Sequence, residues 1–220
     1  KFTQASNQLG TQMKATGEVM GIGSTLDECM LKSVRSLEIG VNHLYLAKFD
    51  SYSTEELLEY LAEFKSDNIF AVTELLRRGV SIEKLHEVTK ITELFLECFK
   101  RIVDMENVLK DKKGDLGALR LAKQLGFSDP YIAKLWGVKE IEIYNLRKQN
   151  GIKPVFRMVD TLYSGAYIPY FYSSYMGENA SILTDKQKAV VLGAGPIRIG
   201  QGVEFDYSTV HSVQTIKKSG

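Results

Sequence analysis

Several protein classes are excluded by what this sequence has little of. Its 220 residues contain two cysteines, Cys29 and Cys98, each in a helix-like segment. No disulfide framework is available, and a reduced, cytoplasmic setting is expected. No apolar run approaches the ~20 residues that a membrane span needs, so no membrane partner is expected. Neither charge sign dominates: Lys+Arg 28 against Asp+Glu 27 gives a formal net charge of +1, which argues against a chain whose main work is gripping phosphate backbones. His43, His86 and His211 stand alone, without a second ligand at zinc spacing, and no metal site is read. What is present is an ordinary globular composition, 44% hydrophobic and 25% charged, which excludes disorder. A chain of this length buries roughly 70% of its unfolded surface, enough for one large domain or two small ones. It starts at Lys1 with no charged-then-apolar leader, and both ends read as cut from something longer.

Along the chain, Leu9 to Gly23 reads as a loop with a short strand at Val19–Ile22. Thr25-Leu-Asp-Glu28 is a capping-box pattern, followed by an apolar stripe at Leu26, Met30, Val34 and Leu37, with Gly40 as a stop. From Ser53 to about Asn150 the pattern is helical. Ser53-Thr-Glu-Glu56 opens a helix with Leu57, Leu61 and Phe64 on one face; Asp67 or Asn68 opens another that ends at Gly79; Ser81 caps a third. The longest runs from about Thr92 to Lys110 with Leu96, Phe99, Val103 and Leu109 on its face, and Gly114 and Gly117 break it. Three short helices follow, parted at Gly126 and Gly137, with Pro130 in a first turn where its missing N–H costs nothing. The fold class expected is mainly α. After Gly151 the tyrosine-rich residues 152–176 read as an extended segment wrapping over the helices, and Glu178 to Lys188 as a polar linker.

Ala189-Val-Val-Leu192 then reads as a buried strand entering the loop Gly193-Ala-Gly195-Pro-Ile-Arg-Ile-Gly200-Gln-Gly202, with a helix to Lys218 carrying Val210, Val213 and Ile216. This is the opening βα unit of a parallel α/β domain. Glycines there let backbone N–H groups cradle an anion. The spacing is neither G-x-G-x-x-G nor a P-loop, so a tight turn is favoured over nucleotide binding. A lone strand has no sheet of its own; it must pair with Val19–Ile22, pair with another copy, or lack order, and the helix after it must dock on the body or on another chain. Residues 128–148 admit a second reading, a DNA-binding helix-turn-helix. Glu140 and Glu142 at the start of its reading helix oppose that reading. These two and Glu55-Glu56 read as solvated faces, and the cysteines as apolar residues.

Leu9-Gly-Thr-Gln-Met-Lys-Ala-Thr-Gly-Glu-Val-Met-Gly-Ile-Gly23 resembles the end of the first synthetase half of the carbamoyl-phosphate synthase large subunit, and Val191 to Tyr207 resembles the start of its second half. The resemblance implies that residues 1–23 are the tail of one ATP-grasp half and 24–178 the helical oligomerisation or connection domain. Residues 179–220 would be a linker and a truncated βα stub of pre-ATP-grasp, Rossmann-like type. It further implies a parent ligase that makes carbamoyl phosphate from bicarbonate, glutamine-derived ammonia and two ATP with Mg or Mn, partnered by a glutaminase small subunit and by its own other domains. The chain itself is expected to be inactive, to need no cofactor and to self-associate weakly. By the same resemblance Glu18, Arg198, Gly202 and Glu204 line a carbamate passage, and Gly193, Gly195 and Gly200 form the anion-cradling loop. One departure stands out: after Val159-Asp-Thr161 the family's glutamate is missing and residues 162–169 are shorter, which puts any contact through that glutamate in doubt.

Overall fold

The computed structural model describes residues 6, 8–12, 19–159, 165–193 and 204–219. The chain divides into two units, one built on Gly21–Ser181 and one on Ile182–Gly220, each with a short N-terminal piece. In the first unit eight helices follow one another: α1 Leu26–Ser36, α2 Thr54–Leu61, α3 Asn68–Arg77, α4 Ile82–Thr89, α5 Glu93–Asp111, α6 Leu116–Gln124, α7 Asp129–Trp136 and α8 Glu140–Gln149. One apolar core, running from Leu31 to Ile152, lies between them. The central helix α5 buries Leu96, Phe99, Ile102, Val103 and Leu109, as its periodicity requires, and packs against α1, α3, α4, α6 and α7.

The caps explain the helix boundaries. Ser53 Oγ accepts from Glu56 N at 3.1 Å while Glu56 Oε2 accepts from Ser53 N at 2.6 Å, a complete capping box. Ser81 accepts from Lys84 N, Asp115 from Ala118 N and Ser128 from Tyr131 N. Thr25 caps α1 as expected, but Glu28 reaches to Ser24 N at 2.7 Å rather than to Thr25. Long loops are held by side chains: Arg78 donates to the Tyr52 and Phe49 carbonyls, and Trp136 Nε1 donates to Leu109 O at the end of α5.

Several expectations are corrected. Gly117 lies inside the first turn of α6 and breaks nothing, because Asp115 caps that helix ahead of it. Phe64 lies beyond the end of α2 and is exposed, as is Leu37 beyond α1; neither joins its helix's buried face. The tyrosine-rich segment, read as an extended wrap, contains an antiparallel ribbon: β1 Val155–Met158 pairs with β2 Phe171–Ser174, with Val155 opposite Ser174 and Met158 opposite Phe171. The outer edge of β1 is also occupied, since Phe156 N donates to Asn179 Oδ1 and Ala180 N donates to Phe156 O. No strand forms at Val19–Ile22; instead Gln8 bridges to Lys65.

In the second unit α9 spans Glu204–Lys218, matching the expected helix. Residues 189–193 form no strand, and Val190 and Leu192 are 83% and 92% exposed, because no ladder partner covers them. Val210 and Ile216 of α9 are also exposed.

Candidate functional site

Glu18, Gly195, Arg198, Gly200 and Gly202 lie outside the described residues, and so do residues 162–164 of the divergent stretch 162–169; Glu204 is described only as the first residue of α9. Gly193 is placed. A Cβ there would stand 2.9 Å from Thr209 Oγ1, so a side chain at 193 would collide with the second turn of α9. Close approach of the loop's first residue to the helix that follows calls for a glycine at this position.

The described charged groups converge elsewhere, in a seam of the helical body. Glu28, Lys32 and Arg35 are spaced four and three residues apart, which stacks them on one face of α1. Glu28 is 1% exposed, and its carboxylate accepts from Ser24 N, from Ser174 Oγ at 3.1 Å and from Lys32 Nζ at 2.8 Å. Lys32 Nζ also donates to the Ile22 and Ser173 carbonyls, tying α1 to β2. Across the seam, Lys123 Nζ of α6 donates to Phe127 O and to Asp129 Oδ1, both at 2.7 Å, and Arg147 Nε of α8 donates to Asp129 Oδ2 at 2.7 Å. Burial pushes the Lys123 ammonium below its usual value despite Asp129. Burial would raise the Asp129 carboxyl, but Lys123 and Arg147 outweigh it and hold it below the ordinary range. A cavity of about 280 Å³ opens between these groups, with Arg35, Arg147 and Tyr175 on its wall. Arg35 Nη1 donates to Gly126 O at 2.8 Å.

A second network lies deeper. Arg77 grips Glu106 through Nε at 2.9 Å and Nη2 at 2.8 Å, and Nη2 also reaches Leu44 O. His43 Nε2 bonds Glu106 Oε1 at 2.9 Å, and the ring stacks on Tyr131 with centroids 3.7 Å apart. Burial outweighs the Glu106 contact and holds His43 below its usual value, so the ring is neutral at pH 7. The Cys98 thiol is pushed up to about 12 by burial and by Asp27, and is inert as a nucleophile. Among the described residues no three His, Cys, Asp or Glu side chains come together to hold a metal ion. No helix among them is long and apolar enough to cross a membrane.

The α7–α8 pair expected from residues 128–148 is present, with Gly137 at φ 70 between the helices. Its second helix opens with Glu140 and Glu142 exposed, and the Nε of Arg147 is held by Asp129. Sequence reasoning missed the seam. The signal was a Lys at 123 between Ala122 and the apolar Phe127, a position that helical phase places inside, and Arg35 directly after buried Val34.

Two family models match the chain. Residues 18–151, more than half of its length, match the oligomerisation domain of the carbamoyl-phosphate synthetase large chain. Residues 185–220 match the preATP-grasp domain of carbamoyl phosphate synthase.

Proposed function

Because the chain belongs to the carbamoyl-phosphate synthetase large-chain family, we propose that its helical body is the structural connector and self-association element of a larger ligase and carries no chemistry of its own. The observation that supports this reading is the order of the two matches on one chain: an oligomerisation domain at residues 18–151 is followed by a preATP-grasp domain at residues 185–220. The buried carboxylates Glu106 and Asp129 are each held by two cationic or imidazole partners, and the thiols and the buried imidazole are not poised for catalysis. The parent would make carbamoyl phosphate from bicarbonate, glutamine-derived ammonia and two ATP in the cytoplasm. A glutaminase subunit would supply the ammonia. The Mg or Mn that accompanies ATP finds no three-ligand cluster among the described residues.

Within that parent, Glu18, Arg198, Gly202 and Glu204 line the passage for carbamate, and Gly193, Gly195 and Gly200 leave room for the small anion. The chain is tested alone and in its parent. Purified, it is expected to hydrolyse no ATP and make no carbamoyl phosphate, and its mean mass in sedimentation velocity is expected to rise with concentration. Exposed apolar residues on α5 and α8, Leu94, Phe95, Ile141 and Tyr144, are available for that association. Robust turnover, or a strictly monomeric mass at the highest concentration, overturns the reading.

A further inference from the structure

We propose that the cavity between α1, α6, α8 and β2 is a binding site for a small oxyanion, a carboxylate or a phosphate. The first ground is charge. Lys32, Arg35, Lys123 and Arg147 line the cavity against Glu28, Asp129 and Glu140, which leaves one positive charge in excess. The second ground is the count of donors. Lys32 and Lys123 already spend their protons on carbonyls and on Glu28 and Asp129. The two arginines do not. Arg35 uses Nη1 on Gly126 O, and Arg147 uses Nε on Asp129. Among the described residues Arg35 Nε and Nη2, and both terminal nitrogens of Arg147, meet no acceptor. Nor are these four nitrogens sealed: the buried side-chain atoms without a partner are His43 Nδ1 and Asn68 Oδ1. Two half-used guanidinium forks on the wall of one cavity are the donor set that planar or tetrahedral oxyanions take.

Size sets the class of ligand. A volume of about 280 Å³ sits just under the range of pockets for drug-sized molecules, so a small anion fits and a nucleotide does not. Burial also pushes Arg35 below its usual value, with Glu28 the offsetting charge, which is the signature of a cation short of neutralisation. One internal competitor is present. Glu140, the first residue of α8, borders the cavity without a hydrogen-bond partner among the described residues, and its charge opposes an incoming anion.

The test follows arginine Nε–Hε resonances of the chain during titration with sodium phosphate and, separately, sodium succinate at constant ionic strength. Arg35 and Arg147 are expected to shift saturably with a midpoint below about 10 mM, while exposed Arg120 does not. Saturation by phosphate alone assigns a phosphate ligand, and saturation by succinate alone assigns a carboxylate; either supports the site. Glu140→Gln removes one opposing charge at the mouth and tightens binding about threefold. In Arg35→Gln the shift of Arg147 disappears. Shifts that stay linear with both anions, or that are the same at Arg120 as at Arg35, overturn the proposal, and this wild-type result decides even if Arg35→Gln fails to fold.

Discussion

His43 has one hydrogen bond for two ring nitrogens, and burial settles how it uses them. A neutral ring facing the Glu106 carboxylate must carry its proton on Nε2, which leaves Nδ1 as a buried lone pair without a partner. Stacking on Tyr131 holds the plane of the ring. The anion that the ring faces is kept ionised by Arg77: burial alone would raise Glu106, but the two Arg77 contacts and His43 hold its carboxyl at about 2. The same argument predicts the effect of breaking the pair. Glu106→Gln leaves the half-buried Arg77 guanidinium with the longer Glu74 contact, 3.3 Å from Nη1, in place of its two-pronged grip, which costs about 3 kcal/mol. Urea unfolding reads this directly, and a loss under about 1 kcal/mol would show that Arg77 had simply swung into solvent. The exposed Lys84–Glu87 pair makes the contrast, and Glu87→Gln leaves the urea midpoint essentially unchanged.

Helix ends set the next scale. Gly126 and Gly137 both sit just past a helix at positive φ, 92 and 70, where any other residue is strained. Their surroundings differ. A Cβ at 126 would stand 2.9 Å from Glu28 Cα, a backbone atom, while a Cβ at 137 would meet nothing within 4 Å. Gly137→Ala therefore costs the conformational term alone, about 1–2 kcal/mol. Gly126→Ala costs that and also forces α1 away from the turn after α6, so it is clearly the more destabilising of the two. Equal losses in thermal unfolding would show that the α1–turn contact yields at no cost. These stops were legible before any coordinates, because a glycine after an apolar stripe, or Ser53 three residues before Glu56, acts through neighbours in sequence. The β1–β2 ribbon was not legible. Val155–Met158 and Phe171–Ser174 lie more than a dozen residues apart, and neither alternates apolar and polar residues strictly, so nothing local marks them as partners. The expected strand at 189–192 erred in the opposite sense: its sequence suits a buried strand, but a strand also needs a neighbour, which four residues cannot encode.

For the molecule as a whole, the helical body came from periodicity, whereas the cavity did not. Its wall draws on Arg35, Lys123, Arg147 and Tyr175, a span of 140 residues, and only tertiary packing brings such positions together. The networks that packing creates also set how the whole fold responds to acid. His43 lies below its usual value of 6.5, and Glu106 lies at about 2 against 4.5. Asp129 is lowered too. In each case the unfolded chain takes up a proton at a higher pH than the folded chain does, so stability falls as pH falls. The His43 contribution is complete above about pH 6.5 and begins to fade below it, and the Glu106 contribution fades between about pH 4.5 and 2. The stability read from urea midpoints is therefore expected to decline gently from pH 7 to 5 and steeply below, with Glu106 alone accounting for about 3 kcal/mol of the acid loss. Glu106→Gln, already less stable at pH 7, should show a much flatter acid limb, because it has no carboxylate left to titrate at that position. If the two proteins lose stability in parallel below pH 4.5, the acid sensitivity belongs to other carboxylates, and the Arg77–Glu106 pair is not what holds the body together against protons.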